Sequence, residues 1–395
     1  MAAVPPLSLP AKTPRWNDPN VRAILFQIIA LVAVVAFGLY LFHNTQTNLR
    51  QRGIASGFGF LSSPSGFGII QSLIPYSETS TYGRVFWVGL LNTLLVSALG
   101  IVFATLIGFI IGIARLSRNW LVARLATVYI EVFRNIPLLL QLFFWYFAVL
   151  RAMPSPRQSL HLGNIAYLNI RGLYLPKPLF EPVFWLVPLA LLVAILSSIV
   201  LARWARRRQE ATGRSFPTFF ASLGLIVGLP LLVFFLAGSP LHWEYPELQG
   251  FNFRGGLMVI PELASIVTAL SIYTAAFIAE IVRAGIQAVS HGQTEAAYSL
   301  GLRPGQTLRL IVIPQALRVI IPPLTNQYLN LTKNSSLAAA IAYPDLVSVF
   351  SGTVLNQTGQ AIEVIALTMA VYLTISLTIS LLMNWYNRRM ALVER

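Results

Sequence analysis

The sequence contains the run Glu295-Ala296-Ala297-Tyr298-Ser299-Leu300-Gly301, with nine further residues before Ile311-Val312-Ile313-Pro314. The run lies in a short polar loop between two apolar segments of membrane-spanning length. A spanning helix needs about 20 mostly apolar residues, because each residue rises about 1.5 Å across a hydrocarbon core about 30 Å thick. We therefore expect a membrane protein in which this loop is recognised from outside the lipid, since nothing in it is typical of catalysis.

The composition supports a membrane protein. Hydrophobic residues make up 56% of the 395 residues, charged residues make up only 10%, and the mean hydropathy is +0.69. A soluble domain has about 25% charged residues, so much of this surface is expected to face lipid. The net charge of +15 is typical of basic loops that orient membrane helices, and no contiguous basic and aromatic surface indicates nucleic acid as a partner.

Eight segments meet the length criterion, which predicts an all-α integral membrane protein with about eight transmembrane helices. They are Ala23–Phe42, Phe86–Ala114, Val128–Leu150, Val183–Ala202, Phe216–Leu236, Leu257–Val282, Leu310–Leu331 and Ala361–Tyr386. The second segment has glycines spaced at multiples of four, which predicts the close approach of another helix: Gly100, Gly108 and Gly112. The seventh contains Pro314, Pro322 and Pro323 and is expected to be kinked or broken.

The basic residues predict an orientation for these helices. With a cytoplasmic N-terminus, 17 Lys and Arg fall in inner segments and nine in outer segments, which favours cytoplasmic positions for both termini. The chain then divides into a cytoplasmic N-terminus (1–22), an uncleaved transmembrane helix (23–42), an outer, periplasmic loop (43–85), two helices (86–150), a segment with a helix pair (151–256), three helices (257–386) that include the cytoplasmic loop 289–314, and a cytoplasmic tail (387–395).

Several chemistries lack the residues that they need. None of the three lysines follows a glycine, so the sequence has no phosphate loop ending in Gly-Lys-Ser/Thr. It has no cysteine, its four histidines are isolated, and no serine nucleophile elbow is present. We therefore expect no catalytic residue, no metal site and no cofactor in this chain.

Local signals predict the structure of the polar loop. Ser290 and Gln293 have the spacing of a capping box, which favours a helix start between them. Gly301 can end that helix in the left-handed conformation, and Pro304 suits the first position of the next helix. The two alanines of the Glu-Ala-Ala run allow another protein to dock closely, whereas an ordinary linker does not need them.

The loop resembles the EAA loop of ABC-importer permeases, which is written E-A-A, three residues, G, nine residues and I-x-L-P, with Ile313 here in place of the Leu. Four further runs resemble the polar amino acid (histidine, glutamate, glutamine, arginine and opine) permeases, in family order. They are L-N-T-L-L-V-S at 91–97, F-R-N-I-P-L-L-L-Q-L-F at 133–143, Y-T-A-A-F-I-A-E-I-V-R-A-G-I at 273–286 and L-T-K-N-S-S-L at 331–337. Together they cover a five-helix core, about half of the chain.

The resemblance implies a permease subunit of an ABC importer for L-amino acids in the cell inner membrane. Its contacts with a separate ATPase dimer would be made by Glu295, Ala296, Ala297, Gly301 and Pro314. The three extra helices, and the opening run 15–19, resemble the larger permease subunit of general L-amino acid (Aap/Bzt-type) importers. Such importers use a second, different permease and a periplasmic amino-acid-binding protein, and they are surrounded by membrane lipid.

Ionisable residues inside a membrane are scarce, so each is a candidate for the substrate pathway. Glu280 could bind the substrate ammonium beside aromatic side chains on the same helix face, or it could only neutralise Arg283. Glu131 and Arg134 are either a mutual pair or part of the pathway lining. The candidate pathway residues are Tyr273, Phe277, Glu280, Arg134, Asn92 and Gln141.

Two other classes of protein remain as alternatives at this stage. One is an ion- or proton-coupled secondary transporter or channel that works without an ATPase. The other is a membrane-embedded enzyme, which is disfavoured because the sequence offers neither a metal-ligand set nor a nucleophile. Purification with or without an ATPase partner would separate the first alternative from an ABC permease.

Overall fold

The structure is a computed structural model that describes residues 19–51, 53 and 56–390. The first 18 residues, with most of the run 15–19, and the last five residues of the tail lie outside the described residues. The helices are α1 Pro19–Gln51, α2 Tyr82–Arg115, α3 Trp120–Asn135, α4 Leu138–Phe143, α5 Leu186–Thr212, α6 Thr218–Leu236, α7 Pro261–Gln287, α8 His291–Ser299, α9 Pro304–Thr307, α10 Ile313–Asn334, α11 Leu355–Thr358 and α12 Ala361–Met390.

The predicted class of a multi-span helical membrane protein is confirmed. Seven helical segments in the described part of the chain are long and apolar enough to cross a membrane, and a bent pair of helices brings the number to eight. The seven are Val21–Thr45, Tyr82–Arg115, Pro182–Thr212, Thr218–Leu236, Pro261–Gln287, Pro304–Ile341 and Ala361–Arg388.

The third predicted span is not a straight helix. Where the sequence predicts Val128–Leu150, the structure has α3 followed by α4 and its π-helical continuation to Leu150, with a bend of 105°. The bend lies at Pro137, which has no backbone N–H to donate. Ile136 before it is extended, with φ −93° and ψ 128°, as the residue preceding a proline prefers.

The sixth and seventh predicted spans also differ from the helices in the structure. The sixth span begins at Pro261 rather than Leu257, because proline is favoured in the first helical turn and the residues before it pair in a sheet. The seventh was expected to be kinked or broken at its prolines. It is not broken, because α10 runs as one helix through Pro322 and Pro323, preceded by a π-helical turn at Leu308–Val312.

Short antiparallel strands, which the sequence does not predict, lie in the segment 151–256 and directly after it. They are β1 Leu160–Leu162, β2 Ala166–Asn169, β3 Gly172–Leu175, β4 Lys177–Phe180, β5 Leu241–Glu244, β6 Glu247–Gln249, β7 Asn252–Arg254 and β8 Leu257–Val259. One sheet has the order β1-β2-β3-β8, while β4 pairs with β5 and β6 pairs with β7. The strands have only three or four residues each, too few for a periodic pattern to mark them.

The described residues fall into two units, of which the second comprises Leu91–Asp345 and the chain from Ile375 onwards. Its core is built on α7, which packs closely against two glycines of α2. A Cβ atom at Gly108 would lie 2.6 Å from Ile278, and one at Gly112 would lie 2.7 Å from the carbonyl oxygen of Ala279. The predicted close approach at these glycines is therefore confirmed.

The first unit comprises the chain up to Leu90 together with Leu346–Thr374. Its core includes Phe60, whose ring centroid lies 6.2 Å from that of Phe350. The Tyr82 hydroxyl donates to Gln357 Oε1 at 2.9 Å. The apolar side chains of α1, by contrast, are exposed along most of its length, as expected for a helix in contact with lipid.

The glycine contact predicts a destabilising substitution. Gly108→Ala should lower the free energy of unfolding by about 1–3 kcal/mol, because the added methyl group would overpack against Ile278. Gly38→Ala is the matched control, since a Cβ atom there meets nothing within 4 Å. Thermal unfolding of the detergent-solubilised chain measures both, and equal Tm values for the two variants would contradict the packing argument.

Candidate functional site

The polar loop forms the predicted short helix α8. The helix starts at His291 after Ser290, as expected, but the Ser290 side chain makes no capping hydrogen bond. The predicted capping box is therefore wrong. The Gln293 side chain instead accepts a hydrogen bond from Gln315 Nε2 at 3.1 Å, which ties α8 to α10.

The end of α8 follows the sequence prediction. Gly301 has φ +78°, the left-handed conformation that favours glycine. The Gly301 N–H donates to the Tyr298 carbonyl oxygen at 2.9 Å, and the Leu302 N–H donates to that of Ala297 at 3.1 Å. Pro304 then starts α9 at its first turn. This local hydrogen bonding satisfies carbonyl groups that the helix end would otherwise leave open.

The exposed surface of α8 combines one carboxylate with apolar side chains. Ala297 is buried, whereas Glu295 and Ala296 are exposed. Tyr298 and Leu300 are 49% and 83% exposed. These two side chains add apolar area beside the Glu295 carboxylate, and tyrosine is among the residue types that are enriched in protein interfaces.

Pro314, the last residue of the predicted coupling set, lies apart from this exposed surface. It occupies the first turn of α10 and is partly buried. Its missing N–H costs no hydrogen bond in a first turn, so the position suits a helix start. Pro314 thus belongs to the helix on which α8 rests rather than to the exposed face.

Glu280 in α7 is held by two arginines. One carboxylate oxygen pairs with Arg115, at the end of α2. The other accepts from Arg283 Nη2 at 2.5 Å, and Arg283 also donates to Gln287. Both oxygens of Glu280 are thus engaged, which favours the neutralising role over the binding of a substrate ammonium.

Arg134 contacts α7 rather than its own helix neighbour. The described residues show no ion pair between Arg134 and Glu131, so the first of the two alternatives for these residues, a mutual pair, is not formed. The Arg134 guanidinium carbon lies 5.3 Å from the centroid of the Phe277 ring, within cation–π distance. Phe277 in turn packs on Tyr273, with centroids 5.0 Å apart.

Two candidate pathway residues, Asn92 and Gln141, donate hydrogen bonds to backbone carbonyl groups. Asn92 is fully buried and donates to the Pro344 carbonyl oxygen at 2.9 Å. Gln141 is 4% exposed, and its Nε2 donates to the carbonyl oxygens of Phe133 at 3.0 Å and Ile136 at 2.9 Å. Gln141 therefore satisfies the carbonyls at the bend, which lipid could not do.

A polar cavity of about 330 Å³ lies between α7 and α10. Its lining combines two aromatic rings with amide, hydroxyl and ammonium groups: Tyr273, Thr274, Phe277, Gln327, Asn330, Lys333 and Asn334. Two of the predicted pathway residues, Tyr273 and Phe277, line it, and Arg134 touches it only through the Phe277 ring. Glu280, Asn92 and Gln141 are not part of the lining.

The polar residues of α10 in this cavity were not predicted as site residues. In the sequence, Lys333 stands out only as part of the run 331–337. The signal that could have found them is a polar stripe at helical spacing within an apolar span, formed by Gln327, Asn330 and Asn334.

In the part of the chain that the structure describes, no group of three His, Cys, Asp or Glu residues could hold a metal ion.

The chain is similar to proteins of known families along nearly its whole length. Residues 211–392 match the family described as binding-protein-dependent transport system inner membrane component. YhdX of Escherichia coli (strain K12), whose name provisionally assigns it as an amino-acid ABC transporter permease protein, is 64% identical over 380 residues, which are 96% of this chain and 97% of YhdX.

Two further relatives cover 96% of this chain. The general L-amino acid transport system permease protein AapQ of Rhizobium johnstonii is 57% identical, over 94% of its own length. The glutamate/glutamine/aspartate/asparagine transport system permease protein BztB of Rhodobacter capsulatus is 46% identical, over 96% of its own length. With this identity and coverage, the chain belongs to the amino-acid ABC transporter permeases, inner membrane components of binding-protein-dependent transport systems.

Proposed function

We propose that this chain is the permease subunit of an ATP-driven importer that moves L-amino acids across the cytoplasmic membrane. The observation that carries the proposal is the polar cavity between two membrane helices, α7 and α10, in a chain of this family. Because the sequence has no phosphate loop, ATP is hydrolysed by a separate subunit. Membership of the ABC permeases argues against the alternative of a secondary transporter or channel without an ATPase.

The cavity supplies a partner for each charged end of an amino acid. The Lys333 ammonium can bind the α-carboxylate, and it forms no ion pair with any described residue. The faces of Tyr273 and Phe277 can receive the substrate ammonium through cation–π contacts. A volume of about 330 Å³ lies in the lower range of small-molecule sites, which suits a ligand of this size.

The α8 surface couples this permease to its ATPase in the proposed mechanism. Glu295, exposed on α8, meets a basic residue of the ATPase, and Tyr298 and Leu300 enter a groove on it. Closure of the ATPase dimer then displaces α8 and, through the Gln293–Gln315 contact, the adjoining helix α10. A second, different permease and a periplasmic amino-acid-binding protein complete the assembly.

The Lys333 proposal predicts a loss of apparent substrate affinity. Lys333→Met should raise the half-saturating substrate concentration about ten- to hundredfold, because a hydrogen bond to a charged group contributes roughly 1.5–3 kcal/mol. Amino acid uptake into proteoliposomes by the assembled importer measures this effect.

Lys177→Met is the matched control for this experiment. Lys177 is also exposed but lies on β4, away from the cavity. Its substitution removes the same charge and should leave uptake unchanged. Wild-type apparent affinity in the Lys333→Met importer would show that this cavity does not bind the substrate.

The coupling proposal predicts that Gly301→Arg abolishes transport. A side chain at φ +78° costs about 1–2 kcal/mol, and the long cation would block the groove in which α8 docks. Uptake should vanish, while the permease still inserts because every apolar span is unchanged. ATPase retention on the purified permease and substrate-stimulated ATP hydrolysis measure the coupling.

Gly301→Asn is the control, because asparagine tolerates the left-handed conformation and is short. It should keep more of the uptake than Gly301→Arg does. The coupling role would be refuted by a Gly301→Arg importer with ordinary uptake and an ATPase that remains bound and substrate-regulated.

The proposed orientation has both termini in the cytoplasm. The chain has no cysteine, so single introduced cysteines are clean probes. Ser63→Cys and Ser155→Cys should react with an impermeant thiol reagent in intact spheroplasts, and Thr212→Cys and Ser290→Cys should react only after permeabilisation. All four positions are exposed in the structure, so a cysteine that fails to react is shielded by the membrane and not by the protein fold. Labelling of Thr212→Cys in intact spheroplasts would contradict the proposed orientation of the α5–α6 pair.

A further inference from the structure

The first unit contains a second cavity, of about 620 Å³, where α1 approaches its C-terminal end and α12 begins. Its walls are mostly apolar, with contributions from Leu41 and Phe42 of α1, Phe58 of the following loop and Ile362 of α12. We propose that this cavity binds a membrane phospholipid whose headgroup carries a primary ammonium. This inference goes beyond the proposed function and requires only that the chain spans a membrane.

The charge of the cavity selects the kind of headgroup. Glu363 is the one charged residue among the described residues that line it. Glu363 Oε1 accepts a hydrogen bond from the Gly57 N–H at 2.6 Å, which fixes the carboxylate against the cavity wall. No described basic residue forms an ion pair with Glu363, and the carboxylate can pair with the ammonium of a bound ligand.

The position of the cavity matches the level of lipid headgroups. The apolar stretch of α1 ends at Thr45, and the apolar stretch of α12 begins at Ala361, so the cavity lies where two spans reach a membrane surface. Thr45 and Ser56 also line it, and their hydroxyl groups can donate to a phosphate. A headgroup therefore meets a carboxylate for its ammonium and hydroxyl groups for its phosphate.

The apolar walls match the remainder of a lipid. Phe42 is 64% exposed and Ile362 is 46% exposed, and both belong to helices that are long and apolar enough to cross a membrane. An acyl chain that leaves the cavity along these side chains stays in contact with apolar surface. A small polar solute would leave the same walls uncovered, so the combination of one carboxylate and apolar walls favours an amphiphile over a soluble cation.

Native mass spectrometry of the purified full-length chain tests the proposal with three lipid probes. Phosphatidylethanolamine has a primary ammonium, phosphatidylcholine has a quaternary ammonium without N–H donors, and phosphatidylglycerol has no ammonium. The phosphatidylethanolamine adduct should survive collision energies that remove the other two. Glu363→Gln keeps an acceptor for the Gly57 N–H but removes the charge, and it should weaken phosphatidylethanolamine binding about tenfold.

Two further variants separate this site from general lipid contact. Ala366→Trp fills the cavity and should abolish the selective adduct, whereas Glu78→Gln removes an exposed carboxylate elsewhere in the same unit and should not change it. Equal retention of the three lipids by the wild-type chain would overturn the proposal. Unchanged phosphatidylethanolamine binding in Glu363→Gln would also overturn it, whatever the folding of Ala366→Trp.

Discussion

The close packing of α2 against α7 positions the rest of the candidate site. At Gly108 and Gly112 the two helices approach so closely that no Cβ atom fits between them. One turn beyond Gly112, this approach brings Arg115 to Glu280. Small residues permit such contact in a membrane, where lipid gives little hydrophobic drive for helices to associate. The contact with α2 thus fixes the rotation of α7 about its own axis. With that rotation, Tyr273 and Phe277 of α7 line the cavity.

The hydrocarbon environment imposes a second constraint, because every backbone polar group inside it needs a protein partner. The bend at Pro137 frees carbonyl groups of α3 that a straight helix would have satisfied. Gln141 donates to two of them, at Phe133 and Ile136. A glutamine in an apolar run thus has a structural role here, and its burial follows from the bend rather than from contact with substrate. The same reasoning applies to Asn92, which donates to a carbonyl group distant in sequence.

Features that depend on neighbouring residues could be predicted from the sequence, and features that depend on distant ones could not. The spans follow from apolar length, and the turn at Gly301 follows from local backbone geometry. The glycine spacing at Gly108 indicated a helix contact but not its partner. The bend at Pro137 does not follow from the sequence, because the apolar pattern of a bent span is the same as that of a straight one. The strand Leu257–Val259 has only three apolar residues, so the sequence pattern does not separate it from the helix that follows. Lys333 was not predicted as a site residue because only the packing of α10 on α7 brings it to the aromatic rings.

Helix α10 contacts both candidate functional surfaces along one continuous helix. Its 22 residues correspond to a length of about 33 Å, close to the hydrocarbon thickness of a bilayer. Near its start, Gln315 binds α8, and near its end Lys333 lines the cavity. Between them, Ile320 packs so tightly on Gly285 of α7 that a Cβ atom there would lie 2.3 Å away. A close-packed contact of this kind resists gradual sliding. In the proposed mechanism, a displacement of α8 would therefore reach α10 as a shift between discrete packings, and the continuity of α10 through its prolines would carry it from the loop to the cavity.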